Sequence, residues 1–117
     1  FDAMRSSDKE KLQACFSEGA ILESVYTKDG ETKIHRSSAN EFIDGVTKVH
    51  KEVYNEVIKV YDIKVDGNMA SAWTPYEFYL DDAFLHCGVN SIQLFKSSTG
   101  WKVTYVIDTR RKDDCSE

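Results

Sequence analysis

Proline occurs once in the 117 residues, as Pro75, and no apolar run approaches the roughly 20 residues that a membrane-spanning helix needs. No membrane partner is expected. Cysteine is sparse and unpaired in pattern: Cys15, Cys87 and Cys115 form an odd set without a CxxC pair. That excludes a zinc knuckle or a disulfide framework, and Cys15 and Cys87 read as small buried hydrophobes. Positive charge is short as well, with 15 Lys and Arg against 20 Asp and Glu and a net charge of -5. The one basic cluster, Arg110-Arg111-Lys112, is followed at once by Asp113-Asp114, so no nucleic-acid partner is expected. The chain also lacks GxGxxG, P-loop, HExxH, GxSxG and EF-hand signatures. Nucleotide, metal and serine-hydrolase chemistry lose their usual sequence support, and neither a cofactor nor a metal site is expected.

What is present describes one domain spanning 1–117. A 41% hydrophobic and 12% aromatic composition can bury a core at this length without staples. The opening FDAMRSSDKEKL reads as the end of a helix truncated at Phe1; the compartment is open between cytoplasm and export behind a removed leader. Ser7 with Glu10 is a capping-box pattern, and Leu12, Cys15 and Phe16 continue it as a short helix ending near Gly19. AILESVY and TKIHRSS flank Asp29-Gly30 as a hairpin, and Ser38 with Glu41 caps a second helix to about His50, carrying Phe42 and Ile43. Beyond it the period changes to two. VYNEVIKVYDIKV, MASAWTPYEFYL, FLHCGVNSIQLF and WKVTYVIDTRR read as four long strands joined by hairpins. Helices first and a meander afterwards predict an α+β fold.

Opposed residues in antiparallel strands share a face, so the turns suggest a register. Val65 opposite Met69, Tyr79 opposite Phe84 and Leu94 opposite Val103 would set Glu77 against His86 and Trp73 against Asn90. One face would then carry Tyr61, Ile63, Trp73, Glu77, Tyr79, His86, Asn90, Ile92, Leu94 and Tyr105. A three-residue loop at 81–83 would instead shift the register by one and separate Glu77 from His86.

On that face the polar residues need partners. Glu77 beside His86 could orient the imidazole, raise its pKa and form a general acid/base pair; a ligand contact or a satisfied core histidine are the other readings. Asn90 must bond either a ligand or the protein. Tyr61, Tyr79 and Tyr105 offer hydroxyls to a carbonyl or serve as core, and Trp73 offers a flat wall to a ring or simply fills space. Asp108, Thr109, Arg110 and Arg111 end the last strand and could rim an opening where an arginine pairs an anionic ligand, or could form a surface ion-pair cluster. The opposite face, with Ile58, Thr74, Tyr76, Phe78, Cys87, Val89, Gln93 and Phe95, is too apolar to stand in water, and a homodimer through it is expected.

DKEKLQACFSEGAIL, VDGNMASAWTPYEFYL and GVNSIQLFKSSTGWKV together resemble the nuclear-transport-factor-2-like superfamily, especially small bacterial SnoaL-like members and proteins catalogued as lumazine-binding. The resemblance implies a cone-shaped half-barrel, a strongly curved antiparallel sheet wrapped around N-terminal helices. It implies a cavity for a small organic molecule, with or without cofactor-free acid/base chemistry of isomerase or dehydratase type; a non-catalytic association domain with a vestigial cavity is the alternative.

Overall fold

Ser38 and Glu41 close the capping box that their spacing predicts. The Glu41 amide donates to Ser38 Oγ at 3.1 Å and the Ser38 amide donates to Glu41 Oε1 at 3.0 Å. The computed structural model describes residues 9–47, 54–58, 62–112 and 115. The expected cap at Ser7 and residues Phe1, His50 and Tyr61 lie outside them.

Among the described residues, two short helices, α1 (Lys9–Cys15) and α2 (Ala39–Thr47), accompany seven strands: β1 (Phe16–Lys28), β2 (Glu31–Ser38), β3 (Tyr54–Ile58), β4 (Asp62–Asp66), β5 (Met69–Leu80), β6 (Ala83–Ser97) and β7 (Gly100–Thr109). The first helix stops at Cys15, short of Gly19, because Phe16 already pairs with Val103 of β7. Leu12 and Ile43 bury each other, flanked by Phe16 and Phe42, whose rings meet edge to face at 6.1 Å.

The strands form one sheet in the order β2-β1-β7-β6-β5-β3, with β4 also on β5. It is curved and open, as the α+β expectation required, but not wholly antiparallel: β1 runs parallel to β7. Of the long strand expected ahead of β5, the described residues form two stretches, β3 and β4, both pairing with β5. Pro75 opposes Val89 of β6, and on its other side it falls between the described pairs Ile58 with Tyr76 and Asp62 with Trp73.

Turns act locally as their residues dictate. Asp29 (φ 53°) and Gly30 (φ 76°) make a two-residue hairpin turn, and Asp81 (φ 56°) opens another between Leu80 and Ala83. Two irregularities beyond the turns then decide the faces. Tyr79 opposes Phe84, yet Phe78 opposes His86, which leaves Leu85 as an extra residue. Leu94 opposes Val103, yet Gln93 opposes Tyr105, which leaves Thr104 extra. Each bulge exchanges the faces of everything past it.

The cysteine expectation is overturned. Cys87 is disulfide-bonded to Cys115, and Cys15 is free and exposed. Two backbone hydrogen bonds of 2.7 Å between Cys87 and Arg111 bring the end of the chain back onto β6, carrying Cys115 to its partner.

Candidate functional site

The bulge at Leu85 separates the expected pair. Glu77 opposes Cys87, His86 opposes Phe78, and Asn90 opposes Thr74 rather than Trp73. The turn-proximal pair Tyr79 and Phe84 is as expected, with rings edge to face at 5.9 Å. Trp73, opposite Ser91, and Tyr105, opposite Gln93, therefore share a face with Glu77 and Tyr79. Val65 opposes Ala70, one residue from the expected Met69, because the turn holds only Gly67 and Asn68. His86 and Asn90 instead share their face with Thr74, Tyr76 and Phe78, three residues expected on the outside.

His86 stacks on Phe78 at 5.0 Å and meets Tyr76 edge to face at 5.6 Å. Burial, with the Arg110 and Lys112 charges, lowers its pKa to about 4, the reverse of the rise expected from Glu77. The ring is neutral at physiological pH. Glu77 instead accepts from the Tyr79 hydroxyl at 3.2 Å.

Asn90, 6% exposed, donates from Nδ2 to Glu56 Oε2 at 2.6 Å. Pairing of Glu56 with Phe78 puts this carboxylate of β3 on the Asn90 face. Burial pushes its pKa up to about 7; the Asn90 bond opposes the rise and the Asp108 charge adds to it. Asp108, opposite Asn90 on β7, is itself raised by burial, against a hydrogen bond from Ser24. The parallel β1–β7 pairing supplies that serine, since Ser24 lies beside Asp108. Asp108 Oδ1 and Thr74 Oγ1 are buried without hydrogen-bond partners. Tyr76, raised by burial and by both carboxylates, donates to the Thr109 carbonyl at 2.8 Å.

Sequence reading missed Glu56 and took Asp108 only as a strand-end residue at a rim, not as the half-buried residue opposite Asn90. Both sit in charged or polar stretches, NEV and IDTR, that resemble ordinary solvated strand ends. Only pairing across β3, β5, β6 and β7 shows that they converge.

An apolar trough of 670 Å³ continues from this cluster along the same face, walled by Ile58, Ile63, Val65, Ala70, Ala72, Ile92, Leu94, Trp101 and Val103, with Thr74 at its polar end. On the other face Glu23 is 6% exposed and accepts from the Tyr105 hydroxyl and from Arg36 Nε at 2.7 Å. Those two bonds hold Glu23 below the usual carboxylate range; Tyr105 is raised by its own bond to Glu23, against the Arg36 charge. Tyr105 is thus a partner of an outer ion pair.

No protein-family model matches the sequence, and no curated protein matches it. Solved structures do. A nuclear-transport-factor-2-like protein from Cytophaga hutchinsonii is similar with a TM-score of 0.74 at 16% identity, over 94% of this chain and 88% of that one. A candidate ketosteroid isomerase from Shewanella frigidimarina gives 0.62 at 15%, over 92% and 85%. A candidate calcium/calmodulin-dependent kinase II association domain from Exiguobacterium sibiricum gives 0.74 at 12%, over 97% and 85%. At such identities the shared property is architecture, and this chain has the nuclear-transport-factor-2-like fold.

Proposed function

We propose that the trough binds a small, largely apolar organic molecule and that Glu56 exchanges a proton with it, in cofactor-free chemistry of isomerase or dehydratase type. The Glu56–Asn90 pair carries this reading: a carboxyl poised near neutrality and held in one orientation, on the same face as an apolar cavity that is lined by Thr74, the residue opposite Asn90, with Asp108 Oδ1 and Thr74 Oγ1 left partnerless. A base whose pKa lies near the working pH both accepts and returns a proton efficiently. Thr74 supplies a donor and Asp108, when protonated, a second, for a carbonyl or hydroxyl of the ligand. The acid/base role first assigned to His86 and Glu77 passes to Glu56, because Glu77 lies across the sheet from the cavity. Ligand contact remains with Asn90 among the residues first expected, while Trp73, Tyr79 and Tyr105 lie on the far face.

A ligand-observed NMR screen of small ring ketones and alcohols tests the proposal, with proton exchange at the ligand's acidic C–H followed in deuterated water. Wild type should bind and exchange; Glu56→Gln should bind comparably and lose exchange by about 100-fold or more. Ligands that bind equally to a Leu94→Trp variant, whose trough is filled, would sink it.

One observation favours association through the outer face, with or without catalysis. Met69 and Phe95 are paired there, Trp73 follows four residues along β5 at 56% exposure, and all three are exposed. A second copy of the chain is the proposed partner. Sedimentation should show a dimer that Trp73→Glu dissociates; a wild-type monomer at high concentration would refute it.

A further inference from the structure

A second cavity, of 430 Å³, opens on the Asn90 face beside His86 and is lined by Arg110, Arg111, Lys112, Tyr26 and Leu85. Three cations border it, and no carboxylate does among the described residues. In a chain of net charge -5 such a concentration of positive charge is costly unless something compensates it. Asp113 and Asp114 follow the cluster in sequence; among the described residues the compensation is partial, since Arg110 acts at a distance on Glu56 and Asp108 and no ion pair of Arg110, Arg111 or Lys112 is found there. The Arg111 Nε donor is moreover buried without a hydrogen-bond partner. A guanidinium N–H left without an acceptor, on a residue that lines a cationic cavity, is costly until an acceptor reaches that side chain.

The segment bearing these cations is also held in place. The Arg111 backbone exchanges both its hydrogen bonds with Cys87, the Arg110 amide donates to the Val25 carbonyl at 2.9 Å, and the Cys87–Cys115 disulfide ties down the chain beyond. Long basic side chains on a clamped backbone pay less ordering entropy on binding than the same residues on a loose end.

We propose that this cavity is a binding site for a small oxyanion, the phosphate or carboxylate group of an organic molecule, gripped by Arg110, Arg111 and Lys112. Its volume suits a small molecule and not a polymer backbone. Tyr26 and Leu85 offer the apolar part of the ligand a wall. The site goes beyond the proton-transfer reading and does not depend on it: Arg110 acts on Glu56 and Asp108 only at a distance, and Arg111 and Lys112 are assigned no part in that chemistry.

Inorganic phosphate is the probe, added to the disulfide-intact chain and compared with chloride at equal ionic strength. Phosphorus NMR should show broadening of the phosphate line, and the His86 ring should titrate at higher pH in phosphate, because a bound anion relieves the repulsion from Arg110 and Lys112. Arg111→Gln should weaken the apparent affinity about tenfold or more, as expected for a lost charge-assisted hydrogen bond. The exposed Lys112→Gln, which leaves the buried contacts alone, should weaken it several-fold. Equal effects of chloride and phosphate on wild type, or unchanged phosphate affinity in Lys112→Gln and in folded Arg111→Gln, would overturn the proposal.

Discussion

A single amide decides how Glu56 behaves. Asn90 Nδ2 is its hydrogen-bond donor, and that bond holds the carboxyl pKa down against burial. Asn90→Ala should therefore raise the Glu56 pKa above about 7 and cost about 1–3 kcal/mol, read by carboxyl NMR titration and urea unfolding. The pH dependence of stability separates Glu56 from His86. Between 4.5 and about 7 the folded chain retains a Glu56 proton that the unfolded chain has released, so this group makes stability fall as pH rises. His86 acts oppositely. Unfolded, it takes up a proton near 6.5; folded, only near 4, so stability falls as pH drops through that window. The slopes oppose each other where the windows overlap. Glu56→Gln removes one of them, so its melting temperature, measured from pH 4.5 to 6.5, should rise more steeply with pH than that of wild type.

Among the elements, β6 has the tightest requirements. Tyr76 lies opposite Gly88, and a Cβ built on Gly88 would stand 2.0 Å from the Thr109 carbonyl oxygen, which also accepts from the Tyr76 hydroxyl. Backbone, not a flexible side-chain tip, is what it would strike. Gly88→Ala should cost about 1–3 kcal/mol or more in urea unfolding and lengthen the Tyr76 contact. Gly45→Ala, with open space around the position and a helical backbone, should be neutral to stabilising by up to about 1 kcal/mol. How far sequence reading reached is visible on the same strand. The pairs nearest the turns, Tyr79 with Phe84 and Leu94 with Val103, were legible, because a turn's residues set the register beside it. Leu85 and Thr104 carry no signal of being extra; their positions follow from how neighbouring strands twist past one another.

For the whole molecule, the 28-residue separation bridged by Cys87 and Cys115 restricts the unfolded chain and ties Cys115 to β6. Reduction should lower stability by about 3–4 kcal/mol, seen as a lower urea midpoint with dithiothreitol. If the oxyanion site needs its clamp, phosphate should broaden less in the reduced protein at a temperature where the sheet is still folded. Thermal melts of intact and reduced chain, each with and without phosphate, resolve the two effects.

The amino-acid sequence alone determined what depends on neighbours along the chain: the Ser38–Glu41 cap, the Asp29-Gly30 and Asp81-Asp82 turns, the period-two strands and hence the α+β class. It also marked Asn90 as a polar group needing a partner. Tertiary structure decided which face each strand residue occupies, the parallel β1–β7 pairing that sets Ser24 beside Asp108, the Glu56–Asn90 contact and the Cys87–Cys115 bridge. These join residues between 28 and 84 positions apart. Local propensity has no hold over such distances, and one unpaired residue in a strand is enough to turn every later side chain to the other side.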